Sequence, residues 1–366
     1  MYKKICFLTP QFKTGGGNRV FIELANILAE NYEVEIIYPN NSEEKNSFQI
    51  NKNINIYKIG VFSNFKIKKI YNLIRCFFWI RKNRNNDLLV ISDPIMCTLI
   101  QGLPLRNTVR FIQGDDYNIY NDKLLLKNNF ILKIYKLLTL ISYKRKIKYI
   151  FNSKFTYSQF IEYSKRKDIL CRIIHPAINR AIFQNFNIRK ENEINIVLIG
   201  RKHPLKGLDI FLKAMSEIKN IDKINNIYIL THDDLSDFNL ENHKIKVIAP
   251  KNDNEIAQYM NKSHIFVSAS KTEGFCLPLL EAMSCGCATI TSNSGGISEF
   301  AINEKNSLIF EVNNSLELAR KIENLLENIR KRKKIAHEGE ITSKYFSWEK
   351  SSNSLIDIIG DKLCKR

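Results

Sequence analysis

Residues Thr272–Ser298 read TEGFCLPLLEAMSCGCATITSNSGGIS, and they decide the fold. Ile265–Ser268 (IFVS), just before them, is a short apolar run of the kind that forms a buried strand. Ser270–Gly274 is polar and permissive, a loop. Pro278 suits the first turn of a helix, where its missing N–H costs nothing. Leu279, Leu280, Ala282 and Met283 continue that helix, and Gly286 ends it. Strand, loop and helix in this order place the loop at the carboxyl end of a strand in an α/β sheet. The amides near Cys276 and Leu277 then face whatever lies beyond that end. A helix N-terminus there attracts anions, and a diphosphate fits it. Glu273 lies in the loop and Glu281 one turn into the helix, separated by seven residues. Both can face one crevice, and carboxylates pair readily with the vicinal hydroxyls of a sugar or ribose.

A second constellation lies upstream. Ile194–Ile199 (INIVLI) is continuously apolar, as a central parallel strand should be. It runs into Gly200-Arg201, then His203, Pro204, Lys206 and Gly207, and a helix over Leu208–Ile218. Arg201 and Lys206 therefore belong to a loop at a strand's carboxyl end, where open α/β sheets bind ligands. Two cations there can neutralise a diphosphate leaving group without a metal. The third stretch is at the start: strand Lys4–Leu8, the glycine loop Thr14-Gly15-Gly16-Gly17, and a helix over Asn18–Glu30. Glycines let backbone approach a phosphate closely. The spacing is not the dinucleotide fingerprint.

Together the three stretches resemble glycosyltransferase family 4, retaining enzymes of the GT-B fold that use nucleotide sugars. The resemblance covers most of the chain. EGFCLPLLEAMSCG is similar to the family's central motif and GRKHPLKG to its Arg/Lys phosphate loop. Val247–Met260 resembles its nucleobase loop and following helix, and FNSKF (Phe151–Phe155) with HPAI (His175–Ile178) its last N-domain segments. The resemblance implies two Rossmann-like, doubly wound α/β domains facing an interdomain cleft. It implies that Arg201 and Lys206 bind the donor diphosphate and that Glu281 holds the ribose hydroxyls. Glu273, Gly274 and the amides of Phe275, Cys276 and Leu277 would hold the transferred sugar. Gly16 and Gly17 would close over the phosphates. Asn18, Gln113 and Asp115 are candidate sugar or acceptor contacts, with loop capping as the plainer reading of Gln113 and Asp115. Two departures stand out: Cys276 replaces the family's usual glycine, and Gln113 follows strand Val109–Ile112 where many members have histidine. A glutamine there resembles a subgroup, several of whose members use deoxysugar donors.

At 366 residues the chain is too long for one ordinary core. Strand and helix patterns alternate as in two α/β units. The expected boundaries are 1–178 for an acceptor domain, 179–192 for a linker and 193–344 for a donor domain, with a last helix over about 348–363 crossing back as in the resembled fold. Hydrophobic residues at 44% and charged ones at 25% fit a water-soluble globular chain. No signal-peptide pattern begins it, and no apolar run approaches the ~20 residues of a membrane span. Eight scattered cysteines show no metal spacing, and reduced thiols in the cytoplasm are expected. Asp115-Asp116 and Asp233-Asp234 could be read as metal carboxylates, but they fall in separate domains. No metal and no cofactor is expected, since the nucleotide sugar is a substrate.

The formal charge of +19 is concentrated in two stretches, Lys66–Arg84 and Lys127–Lys148. In the first, Ile67, Ile70, Tyr71, Ile74, Phe77 and Phe78 recur at helical spacing among lysines and arginines. Ile131, Ile134, Tyr135, Leu138 and Ile141 do so in the second. Either both stripes pack on the first domain's sheet with the cations as a solvated face, or the helices lie on the anionic inner face of a membrane. No nucleic-acid module is present. The expected activity is transfer of a sugar from a nucleoside diphosphate to a hydroxyl of a glycan or lipid-linked saccharide. The alternatives are a nucleotide-sugar epimerase of the same fold and a non-catalytic binding subunit.

Overall fold

The computed structural model describes residues 4–12, 15–41, 49–63, 65–100, 107–117, 130–189, 193–241 and 244–359. The chain divides into two compact units: residues up to Pro176 together with those from Trp348 onward, and Ala177–Ser347.

The first unit runs β1 (Ile5–Leu8), α1 (Gly16–Leu28), β2 (Val34–Pro39), β3 (Ile54–Ile59), α2 (Lys66–Asn83), β4 (Leu88–Ile91), α3 (Pro94–Leu99), β5 (Thr108–Ile112), α4 (Phe130–Tyr143), β6 (Lys148–Phe151), α5 (Lys154–Ser164) and β7 (Cys171–Ile173). Its strands form one parallel sheet in the order β3-β2-β1-β4-β5-β6-β7. β1, β2, β4 and β5 are buried at every position, because helices cover both faces.

Glu35, the second residue of β2, breaks that apolar rule and is fully buried. It is answered by two cations. Arg84 grips it with Nε at 2.5 Å and Nη2 at 3.0 Å, and Lys4 Nζ reaches it at 2.9 Å. The Arg84 guanidinium also lies over Trp79, 4.9 Å from the ring centre.

The second unit runs β8 (Ile194–Ile199), α6 (Leu208–Glu217), β9 (Ile224–Leu230), β10 (Ile245–Ile248), α7 (Asp253–Lys262), β11 (Ile265–Ser268), α8 (Leu277–Ser284), β12 (Ala288–Ser292), β13 (Leu308–Phe310), α9 (Ser315–Glu327) and α10 (Ile329–Ser343). Its parallel sheet has the order β10-β9-β8-β11-β12-β13, so the winding reverses between β8 and β11. Crevices at such reversals take ligands. Of the segment expected as a linker, residues 179–189 are described, and they pack along this unit. Phe183 is buried, Arg180 Nη2 donates to the Ser343 carbonyl at 2.6 Å, and Arg189 Nε donates to the Ser263 carbonyl at 2.5 Å.

The last helix, α11 (Trp348–Ile359), belongs to the first unit. It packs on α1 and β7, Lys148 Nζ donates to the Ile358 carbonyl at 2.6 Å, and Ser351 Oγ donates to the His175 carbonyl at 2.6 Å. Two helix boundaries differ from expectation. Gly16 and Gly17 are already the first residues of α1, since a first turn asks no intrahelical partner of its N–H groups. The expected helix over Lys127–Lys148 is described as Phe130–Tyr143, because Lys148 already belongs to β6. Thr14, residues 42–48, 118–129 and 360–363, which carry parts of the expected loops and helix ends, lie outside the described residues.

Candidate active site

Two loops flank the reversal between β8 and β11, and backbone holds them together. Lys271 N donates to the Leu205 carbonyl at 2.8 Å. Gly207 has φ +65°, and a Cβ on it would come within 1.9 Å of the Ala269 carbonyl oxygen, so only glycine fits. A third loop joins from β12: Glu273 N donates to the Ser294 carbonyl at 2.8 Å and Gly296 N to the Glu273 carbonyl at 2.9 Å. A Cβ on Gly296 would meet the Gly274 carbonyl oxygen at 2.1 Å. The Ser294–Gly296 strap lies within the quoted stretch, yet its part in fixing Glu273 was not read from it. The doubled glycine was the signal.

The expected charged residues come together on this frame. Lys206 Nζ lies 2.7 Å from Glu273 Oε1, with side chains 38% and 15% exposed. Burial works against the charge, but the Glu273 carboxylate outweighs it and holds the Lys206 ammonium above its ordinary range. Arg201 Nε contacts Asp233 Oδ2 at 3.1 Å, and Lys202 N donates to the same oxygen at 2.8 Å. Arg201 is half exposed, so the rest of its planar fork faces solvent. Asp233 is therefore an orienting partner, a role that the sequence reading missed, having weighed Asp233 only as a metal carboxylate and set that aside. His203 Nδ1 accepts from Leu205 N at 3.3 Å and caps the short turn Pro204–Lys206.

Glu281 lies one turn into α8 and is buried. The side chains of Phe275, Cys276 and Leu277 are buried too, so this stretch offers a ligand its backbone. Phe275 packs against Phe300 and Phe346, with ring centres 5.1 and 5.7 Å away. Cys276 has φ 68° and ψ 61°, the left-handed region. Its thiol lies 3.6 Å from Ser268 Oγ and is pushed up to about 12 by burial, with Glu273 adding to it. Buried and shifted in this way, it stays a thiol at neutral pH.

The left-handed backbone yields a sign test. At ordinary φ, glycine is about 0.5–1 kcal/mol worse than alanine. In the left-handed region a Cβ costs roughly 1–2 kcal/mol. Cys276→Gly should therefore be more stable than Cys276→Ala by about 1 kcal/mol. Urea unfolding of the two variants measures it, and the reverse order would contradict the backbone conformation.

The first unit has its own constellation at the carboxyl ends of β1 and β5. Gln113 Nε2 donates to the Gly17 carbonyl at 3.2 Å, and Asn152 Nδ2 donates to the Gln113 carbonyl at 2.6 Å. Asn18 is tied to the end of β1 through Thr9 Oγ1 at 2.9 Å. A Cβ on Gly16 would meet nothing within 4 Å, so protein packing does not require glycine there. Asp115 is buried, and its neighbour Asp116 pairs with the fully buried Arg110 at 2.5 Å. Among the described residues no three His, Cys, Asp or Glu side chains gather as a metal site.

Residues 179–341 match the family model of glycosyl transferases group 1. The chain is 32% identical over 202 residues to an uncharacterized glycosyltransferase of Methanocaldococcus jannaschii, covering 54% of this chain and 55% of that relative's length. It is 24% identical over 353 residues to a Campylobacter jejuni protein, covering 91% of this chain and 93% of the relative. That protein is named N-acetylgalactosamine-N,N'-diacetylbacillosaminyl-diphospho-undecaprenol 4-alpha-N-acetylgalactosaminyltransferase. The fold of this chain is shared with sucrose-phosphate synthase of Thermosynechococcus elongatus (TM-score 0.81, 14% identity, 96% of this chain and 97% of that one). It is shared as well with WaaG, a glycosyltransferase of lipopolysaccharide biosynthesis (TM-score 0.77, 14% identity, 98% of this chain and 100% of that one). Residues 179–341 thus match the glycosyl transferases group 1 model, in a chain with the two-sheet GT-B fold.

Proposed function

We propose that the chain is a retaining, metal-independent glycosyltransferase of family 4. It moves a sugar from a nucleoside diphosphate to a hydroxyl of a glycan or lipid-linked saccharide in polysaccharide synthesis. The observation that carries this is the Lys206–Glu273 pair at 2.7 Å, with Arg201 on the same loop, at the winding reversal of the group 1 domain. The arrangement offers two cations for a diphosphate and two carboxylates for hydroxyl groups. A lipid-linked acceptor is supported by the name of the Campylobacter relative, which acts on a diphospho-undecaprenol saccharide. The seven described cysteines are free, which fits the cytoplasm.

In this mechanism the acceptor oxygen forms its bond to the sugar's anomeric carbon on the face from which the diphosphate departs. The bond to the phosphate oxygen breaks, and that oxygen takes the acceptor's proton. No protein nucleophile takes part. Arg201 and Lys206 absorb the charge that develops on the leaving group, and Glu273 with the backbone of Gly274–Leu277 holds the sugar. Glu281 holds the ribose.

The test is a thermal-shift screen with UDP, GDP, dTDP and CDP and their sugar conjugates. One nucleotide at 100 times its Kd should stabilise the chain by ~2.7 kcal/mol, and Glu281→Ala should abolish the shift. Isomerisation of the sugar nucleotide without acceptor would replace this reading by an epimerase. No shift with any nucleotide would replace it by a non-catalytic subunit.

A further inference from the structure

Helix α2 turns an apolar stripe outward as well as inward. Its inner face is Asn72, Leu73, Cys76, Phe77 and Ile80, of which Asn72, Cys76 and Ile80 are buried and the other two half-buried. Asn72 belongs inside because its amide is used up. Its Nδ2 donates to the carbonyls of Val61 at 2.9 Å and Asn40 at 3.1 Å, and its Oδ1 accepts from Val61 N at 3.3 Å. Of the two directions that the sequence spacing left open for the α2 stripe, the structure has the outward one for most of it. Ile67 is 82% exposed, Ile70 59%, Tyr71 58%, Ile74 41% and Phe78 59%. Phe65 (73%) and Val61 (72%), in the loop leading into the helix, extend the same apolar surface.

Positions seven apart lie along one line of a helix. Lys68, Arg75 and Lys82 do so, all exposed, and their line borders the apolar stripe. Lys68 reaches over the Phe65 ring and Arg75 over the Tyr71 ring, each 5.8 Å from the ring centre. From Val61 to Asn86 there is no Asp or Glu against seven Lys and Arg. The other basic helix, α4, shares this only in part: Ile134 and Leu137 are exposed, but Leu138 and Ile141 are half-buried and Thr139 and Ser142 buried, as it packs on α3.

We infer that the outward face of α2, with the Val61–Phe65 approach, docks on an anionic lipid surface. Isoleucine and aromatic side chains enter the acyl boundary while the flanking cations meet lipid phosphates. Long basic side chains can lay their stems along the apolar stripe with the charge at headgroup level. A nucleic-acid surface would not use seven large exposed apolar side chains. No described helix is long and apolar enough to cross a membrane, so the contact is at the surface.

Co-sedimentation of the full chain with vesicles tests this. The expected result is strong binding to phosphatidylglycerol–phosphatidylcholine vesicles at low salt and little to phosphatidylcholine alone. The variant Ile67→Gln/Ile70→Gln/Ile74→Gln should lose on the order of tenfold or more in binding. The variant Lys68→Glu/Arg75→Glu/Lys82→Glu should lose roughly a hundredfold or more. The substituted side chains are exposed, so both variants should keep the wild-type circular dichroism and Tm. None belongs to the donor site, so nucleotide binding should be unchanged, and this inference and the proposed activity fail separately. Wild-type protein that stays in the supernatant, equal binding to neutral vesicles, or variants that bind like wild type would each overturn the inference. So would self-association through this face in place of lipid binding.

Discussion

Replacing Lys206 by alanine is expected to slow sugar transfer by roughly a hundredfold or more, with Arg201→Ala close behind. In the proposed function each removes a cation from the place where a departing diphosphate would gather charge, and one such preorganised donor is worth about 2.7–4 kcal/mol of barrier. Lys206 should matter more. It is tied to Glu273 at 2.7 Å and less exposed than Arg201, so its ammonium is already positioned before any ligand arrives. The interaction strengthens in the transition state, so kcat and kcat/KM should fall together rather than KM rising alone. Glu273 holds the Lys206 proton above its ordinary range, so the rate should show no loss from Lys206 titration anywhere near neutral pH. Steady-state kinetics of both variants decide the matter. Near-normal turnover in the two would remove the leaving-group role from this loop.

The largest expected effect on stability lies far from that site, at Glu35. Glu35→Ala should destabilise the first unit by about 3 kcal/mol, the lower end of what breaking a buried ion pair costs. The carboxylate is fully buried while Arg84 and Lys4 keep some contact with water, which tempers the penalty on the abandoned cations. Lys4 is held above its usual range by its hydrogen bond to Glu35, and burial pushes the neighbouring Cys6 thiol well up. For a unit of this size the loss corresponds to roughly 6–12 °C in Tm. Glu35→Gln keeps an acceptor for Arg84 and should lose less. Calorimetry of the variants measures both, and a loss below about 1 kcal/mol for Glu35→Ala would show that the cluster contributes little.

The legible parts of the chain were those where one chemical constraint acted alone. Ile194–Ile199 and Ile265–Ser268 are apolar throughout because they are covered on both faces, and both strands occupy those residues. The loops after them had to carry Arg201, Lys206 and Glu273, and the latter two do meet. What stayed hidden depends on pairings distant in sequence. Asp233 reaches Arg201 only because β9 lies beside β8, and nothing around Asp233 announces it. The left-handed Cys276 looked like a mere departure from a motif until its backbone angles were known. In α2, periodicity marked an apolar stripe but not its direction. The buried Asn72, saturated by Val61 and Asn40, turned the helix the other way.

The placement of α11 has a consequence for how the protein is born. Its residues leave the ribosome after the second unit, yet they complete the unit that leaves before it. At about 5–20 residues per second, the intervening residues of Ala177–Ser347 delay that completion by on the order of ten seconds or more. During that interval α1 lacks the helix that covers it, and the nascent amino-terminal half exposes apolar surface that the finished protein hides. Chaperones have most to hold in that window, and a stop codon after Ser347 would leave the amino-terminal half, not the carboxyl-terminal one, unfinished.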